Sequence, residues 1–203
     1  RDVVTLYETT LQRNPACWMA HNNLACALAL AGRPQEAIPH LEETLRLNPR
    51  FAEAESNLGD NLRQTGRLRE ALEHYERAFA LQPNFAETHN GWGIALVALG
   101  RSDEALEHFR AAVRLKPNFA SAQFNTGICL AKAGKPAEAI PHFEQAVRAQ
   151  PDYAEAELSW GIALAVTQHL PAAVPHFERA LRLVPNSLRF QLTFARALTD
   201  GGR

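Results

Sequence analysis

The 203-residue chain sets 21 lysines and arginines against 22 acids, a formal net charge of −1, so it lacks the electrostatic footprint that nucleic acid or an anionic membrane surface would require. Three cysteines, Cys17, Cys26 and Cys129, show no paired spacing, which argues against a disulfide scaffold or a zinc site. The longest apolar runs, Leu24–Ala31 and Gly93–Gly100, fall short of the ~18 residues of a membrane span, so membrane insertion by this segment is not expected.

Proline recurs at Pro15, Pro49, Pro83, Pro117, Pro151 and Pro185, at intervals of 34 residues, and a period that strict marks an array of equivalent stacked units. Residues 1–17 carry the second half of one unit. Complete units follow at 18–51, 52–85, 86–119, 120–153 and 154–187, and 188–203 carries the first half of another, so the chain reads as one solenoid domain. Arg1 falls inside a repeat and Met19 is the only methionine, so the chain also reads as a piece of a longer protein. No compartment signal is present; a cytoplasmic location is favoured, and a membrane-tethered parent is compatible.

Each unit predicts two helices. In 52–85, Leu58 and Leu62, then Leu68, Ala71, Leu72, Tyr75 and Phe79, fall at helical spacing. Helices of about 12–14 residues are marginal alone and must gain stability from packing. Gly66, in register with Gly32, Gly100 and Gly134, closes the first helix with a left-handed turn, and the column lapses only at Gln168. Gly59 and Ala71 let the two backbones approach, and the aromatic column Tyr75, Phe109, Phe143 and Phe177, preceded by Leu41, fills the space between. Pro39, Pro141 and Pro175 fall just past the first turn of their second helices, where they are expected to bend the helix without ending it. Pro34 and Pro136 stand at helix starts, where proline is tolerated.

These columns resemble the tetratricopeptide repeat family along the whole chain, with modest departures at Thr44, Thr126 and Gln168. The resemblance implies an all-α fold, a right-handed α-solenoid of antiparallel helix pairs. It also implies that the first helices line a concave groove, which in this family usually holds an extended or helical peptide. On that face the first complete unit offers Asn22, Asn23 and Cys26, and the second Glu53, Asn57 and Asp60. Glu87, Asn90 and Ile94 follow, then Phe124, Asn125 and Ile128, then Leu158 and Ile162. The face thus passes from polar to apolar along the chain.

Asn23, Asn57 and Asn125 share a column that is similar to the asparagine ladder in the repeat region of nucleocytoplasmic O-GlcNAc transferases. An asparagine there can pair with a peptide backbone, or can bond a neighbouring helix. Ile94, Phe124, Ile128, Leu158 and Ile162 are expected to form an apolar patch of the kind that marks interaction sites, unless part of the row is tucked between adjacent first helices. Glu53, Glu87 and Glu155 stand where capture of a C-terminal carboxylate would need cations. A partner with a basic segment followed by an apolar one fits better.

Other motifs fail on context. Gly91-Trp92-Gly93 lacks a third glycine and a preceding strand, and Gly127 to Lys135 has the wrong spacing for a phosphate loop. His40, His74, His108, His142 and His176 recur once per unit, but equivalent atoms on successive units lie about a helix-pair spacing, near 10 Å, apart. They are expected to be half-exposed copies on the second helices. Arg33, Arg67, Arg101 and Lys135 precede Glu36, Glu70, Glu104 and Glu138 by three residues, which predicts a row of solvated ion pairs. No catalytic residue, cofactor or metal ligand is assigned.

The expected function is therefore a scaffold that binds a protein or peptide, with self-association expected through exposed ends. The alternative is an accessory recognition domain of a larger enzyme. Arg1–Leu11 running into Trp18–Leu28 is similar to the repeat regions of some bacterial membrane mannosyltransferase-like proteins.

Overall fold

The computed structural model describes residues 3–201; residues 1, 2, 202 and 203, at the outer edges of the two half repeats, lie outside the described residues. The described chain is helical from end to end, as α1 (Val3–Arg13), α2 (Trp18–Leu30), α3 (Pro34–Leu47), α4 (Ala52–Gln64), α5 (Leu68–Leu81), α6 (Ala86–Ala98), α7 (Ser102–Leu115), α8 (Ala120–Lys132), α9 (Pro136–Ala149), α10 (Ala154–Val166), α11 (Leu170–Leu183) and α12 (Leu188–Gly201). Even-numbered helices are the first helices of the repeats, and odd-numbered helices the second. The contacts divide the chain into two compact units, Arg1–His108 and Phe109–Arg203. In each, consecutive helices pack together, and the first helices also touch in succession: α2, α4 and α6 in one unit, α8, α10 and α12 in the other. This is the all-α repeat solenoid expected from the columns.

The turn between the two helices of a repeat is closed in the same way each time. The amide of the basic residue after the turn donates to the carbonyl of the leucine column: Arg33 to Leu28, Arg67 to Leu62, Arg101 to Leu96 and His169 to Leu164 at 2.9 Å, and Lys135 to Leu130 at 3.0 Å. The residue between must turn left-handed, with φ of 72° at Gly32 and 81° at Gly66. Gln168 is held there at φ 65° without glycine's freedom, a cost of roughly 1–2 kcal/mol. Helices α3, α9 and α11 run through Pro39, Pro141 and Pro175 unbroken. Residues before the closing prolines, Asn48, Gln82 and Gln150, leave helical geometry with ψ of 82°, 86° and 94°, as the proline ring demands.

The aromatic column forms the core. Tyr75, Phe143 and Phe177 are fully buried, each contributing about 1.5–3 kcal/mol. They sit against glycines so closely that a Cβ at Gly59 would lie 2.7 Å from the Tyr75 ring, and one at Gly127 2.6 Å from Phe143. Where the column holds Leu41, the small residue in register is Ala25, and both are buried in the same cluster.

The histidine row is half-buried, and it does more than repeat. Each ring Nδ1 meets the residue 19 positions earlier on its partner first helix: His40 with His21 at 2.9 Å, His74 with Glu55 at 2.6 Å, His108 with His89 at 3.1 Å, His142 with Gln123 at 2.8 Å and His176 with Glu157 at 2.8 Å. That first-helix residue also caps the preceding turn. His21, His89, Gln123 and Gln191 reach the carbonyls of Pro15, Pro83, Pro117 and Pro185 at 3.0, 3.3, 2.9 and 3.0 Å. A carbonyl only accepts, so Nε2 of His21 and His89 carries the proton and their Nδ1 accepts from His40 and His108. Glu157 cannot donate to Pro151; Arg179 does so instead at 3.2 Å, while its Nε holds Glu157 at 2.9 Å. The outer ion pairs Arg33–Glu36, Arg67–Glu70 and Arg101–Glu104 form at 2.6–2.7 Å and are exposed, worth little each.

Candidate functional site

The first helices carry the candidate residues, and each unit presents its own face. In the first unit, Asn23 and Glu53 are exposed, while Asn57, Asp60, Glu87, Asn90 and Ile94 are half-buried. Asn22 is buried and donates to Asn23 at 3.4 Å. Asn57 donates from Nδ2 to Cys26 Sγ at 3.6 Å, so this member of the asparagine column is tied to the neighbouring first helix. Burial, and then the nearby Glu53 carboxylate, raises the Cys26 thiol, which leaves it a poor nucleophile at neutral pH.

The gap in the asparagine column at Gly91 has a steric cause. Tyr75 is the one tyrosine of its column within the complete units, and its hydroxyl donates to Asp60 Oδ1 at 2.8 Å. Arg63 reaches the same oxygen at 3.3 Å. A Cβ at residue 91 would lie 2.8 Å from that hydroxyl and 2.9 Å from that carboxylate oxygen. Tyr75 and Asp60 thus occupy the space that a side chain at residue 91 would need. Burial, reinforced by Asp60, pushes the Tyr75 phenol far above its ordinary value, so it stays a neutral donor.

In the second unit the expected apolar row separates. Leu158 is only 5% exposed and packs into the core with Ala173, Phe177 and Phe190. Phe124 lies against Tyr153 and Phe143, with ring centroids 4.9 and 6.1 Å apart, in a cluster that includes Trp160. Ile94 belongs to the first unit. The surface retains Ile128, half-buried, and Ile162, 39% exposed. Val166, one helical turn beyond Ile162 and 64% exposed, joins them. Together with Ala131, Phe143, Ser159 and Ala163 they line a pocket of about 360 Å³ between α8, α10 and the start of α9. Asn125, next to Phe124, is half-buried.

This pocket is apolar, with Ser159 its polar side chain. Cys129, on the same helix as Ile128, is buried and its thiol is raised by that burial, so no activated nucleophile is offered. Among the described residues no group of three histidine, cysteine or acidic side chains could hold a metal ion, and no helix is long and apolar enough to cross a membrane. The arrangement suits it to bury an apolar side chain brought by another molecule.

Comparison with known families matches residues 4–50, 90–154 and 130–188 to one tetratricopeptide repeat profile, and residues 50–118 to another. No curated protein matches the sequence at a significant level. Solved structures share the fold at low identity. YrrB, described as a TPR protein with an unusual peptide-binding site, is 22% identical over 95% of this chain and 97% of its own, with a TM-score of 0.69. PilF of Pseudomonas aeruginosa is 22% identical over 94% of this chain and 86% of its own, with a TM-score of 0.82. MamA is 22% identical over 79% of this chain and 94% of its own, with a TM-score of 0.68.

Proposed function

The chain belongs to the tetratricopeptide repeat family, and on that premise we propose that it is a non-catalytic scaffold that binds a peptide or helix of a partner protein along the first-helix faces. The pocket formed by Ile128, Ile162 and Val166 is the observation that carries this reading, because it leaves large apolar side chains exposed around a concavity. YrrB, which shares the fold, is described as peptide-binding. The pocket would receive an apolar anchor worth about 1.5–3 kcal/mol. Asp60 and the exposed Glu53 of the first unit would favour a partner that also carries basic residues. Affinity then comes from several modest contacts and not from one deep site.

Peptides selected by display against the whole chain test this. Replacing Ile162 or Val166 by aspartate changes exposed positions and preserves the core, whereas Leu158→Asp would place a charge in it. Loss of one buried anchor is expected to weaken the selected peptides ~10–100-fold. Undiminished binding by a folded Ile162→Asp, Val166→Asp variant would place the site elsewhere.

A further inference from the structure

The apolar pocket of the second unit has a cation at its edge. Lys132 lies one helical turn beyond Ile128 on α8 and directly follows Ala131; both of those residues line the pocket, as does Gly134 two positions further on. The 34-residue period sets Lys132 in register with Val166 of α10, as it sets Ile128 in register with Ile162, and α8 and α10 touch. Both Lys132 and Val166 are exposed. In the first unit the same register holds Leu30, Gln64 and Ala98, so the lysine belongs to this pocket and is not a copied column.

Lys132 has no ion-pair partner among the described residues, whereas Lys135, Arg148, Arg179 and Arg182 of the same unit are held by Glu138, Glu144, Glu157 and Glu178. Its place in the last turn of α8 suits the helix dipole, but a dipole role is indifferent to what the pocket holds. We infer that Lys132 selects the partner's charge: the segment that inserts an apolar side chain between Ile128, Ile162 and Val166 carries an aspartate or glutamate close to that anchor, and the Lys132 ammonium takes its carboxylate. The inference rests on the proposed function of the pocket and adds the chemistry of its partner. An ammonium on a flexible four-carbon stem is a point charge, so it follows a carboxylate in an extended or a helical segment alike. A basic residue at that place would meet Lys132 as a like charge, which supplies the repulsive half of the selection. Glu53 and Asp60 of the first unit favour the opposite sign, so a partner of uniform charge satisfies one face only. Because Lys132 is exposed, the pair is expected to change affinity by about twofold to fivefold.

The test uses peptides selected by display against the whole chain and retained only if Ile162→Asp abolishes their binding. In each peptide the acid nearest the anchor is replaced by its amide, and affinities for the unaltered chain and for Lys132→Met are measured by fluorescence anisotropy. Removing either charge is expected to weaken binding by about twofold to fivefold, and removing both to cost no more than removing one. The coupling is expected to vanish in about 1 M salt. Reselection against Lys132→Glu is expected to replace the acid by lysine or arginine. Full affinity in Lys132→Met, additive losses, or retained peptides with no acid near the anchor overturn the inference and leave the pocket's proposed function standing. Selected peptides that all tolerate Ile162→Asp overturn both. Shifts of the Ile128, Ile162 and Val166 methyl signals on concentrating the chain alone would put a second copy in the pocket, and also overturn the inference.

Discussion

Replacing Gly127 by alanine tests the close helix packing that the aromatic column imposes. The new Cβ would lie 2.6 Å from Phe143 Cε1 and 2.9 Å from Cδ1 and Cζ, against an optimal carbon separation of about 3.5–4.0 Å. The overlap approaches an ångström. The ring is fully buried and cannot swing away, so α8 must move or Phe143 must leave its rotamer, at a cost of about 1–3 kcal/mol. Alanine's better helix propensity returns about 0.8–1.0 kcal/mol, which leaves a net loss of up to roughly 2 kcal/mol. The chain already contains the compensated pair, because Leu41 stands in the aromatic column where Ala25 stands in the glycine column. Phe143→Leu should therefore relieve Gly127→Ala, and the double variant should lose less than the sum of the singles. Urea denaturation of the four proteins, read as a double-mutant cycle, measures this coupling. Additive effects, or a Gly127→Ala variant more stable than the original, would refute the packing argument.

Gln168→Gly should raise stability by roughly 1 kcal/mol, because φ of 65° is strained for glutamine; an unchanged denaturation midpoint would contradict the strain. Gly91→Asn, which fills the gap between Asn57 and Asn125, should cost about 1–3 kcal/mol through overlap with the Tyr75 hydroxyl and Asp60. Tyr75→Phe should recover part of that loss, and thermal melts of single and double variants decide it. Acid should loosen the two clasps formed by histidine pairs, His21–His40 and His89–His108. Burial, and then the neighbouring His89, brings His108 from 6.5 down to about 4, and burial followed by His21 lowers His40. Since the folded value of His108 lies below its unfolded one, the stability from that ring is intact above about pH 6.5 and is lost as pH falls through about 4, and His40 acts in the same direction. His89→Gln, which copies the Gln123–His142 clasp, replaces the imidazole beside His108 by an amide. It should move the acid unfolding midpoint, followed by circular dichroism, to lower pH.

The paired helices and the glycine turns are legible in the sequence because each rests on a local column that the period aligns. The histidine clasp was only half legible. Its donors repeat as histidine, but its acceptors, His21, Glu55, His89, Gln123 and Glu157, vary in type. They share only polarity and a constant offset, and comparing columns 19 residues apart would have found them. The apolar face was harder, because Leu158 and Ile162 lie one turn apart and look equivalent. Whether each is covered depends on how α11 and α12 lean on α10, which no spacing reports. Gly91 likewise reads as a missing asparagine until the Tyr75 hydroxyl is seen in its place.

On the proposed function, the first-helix face of the second unit receives an apolar side chain of a partner. Methyl NMR of the isoleucine- and valine-labelled chain, titrated with a display-selected peptide, tests it most directly. The methyls of Ile128, Ile162 and Val166 are expected to shift together and saturate at the same peptide concentration, while those of Ile38 and Val147 in the core remain in place. Shifts confined to residues away from that pocket, with Ile128, Ile162 and Val166 unmoved at saturation, would contradict it.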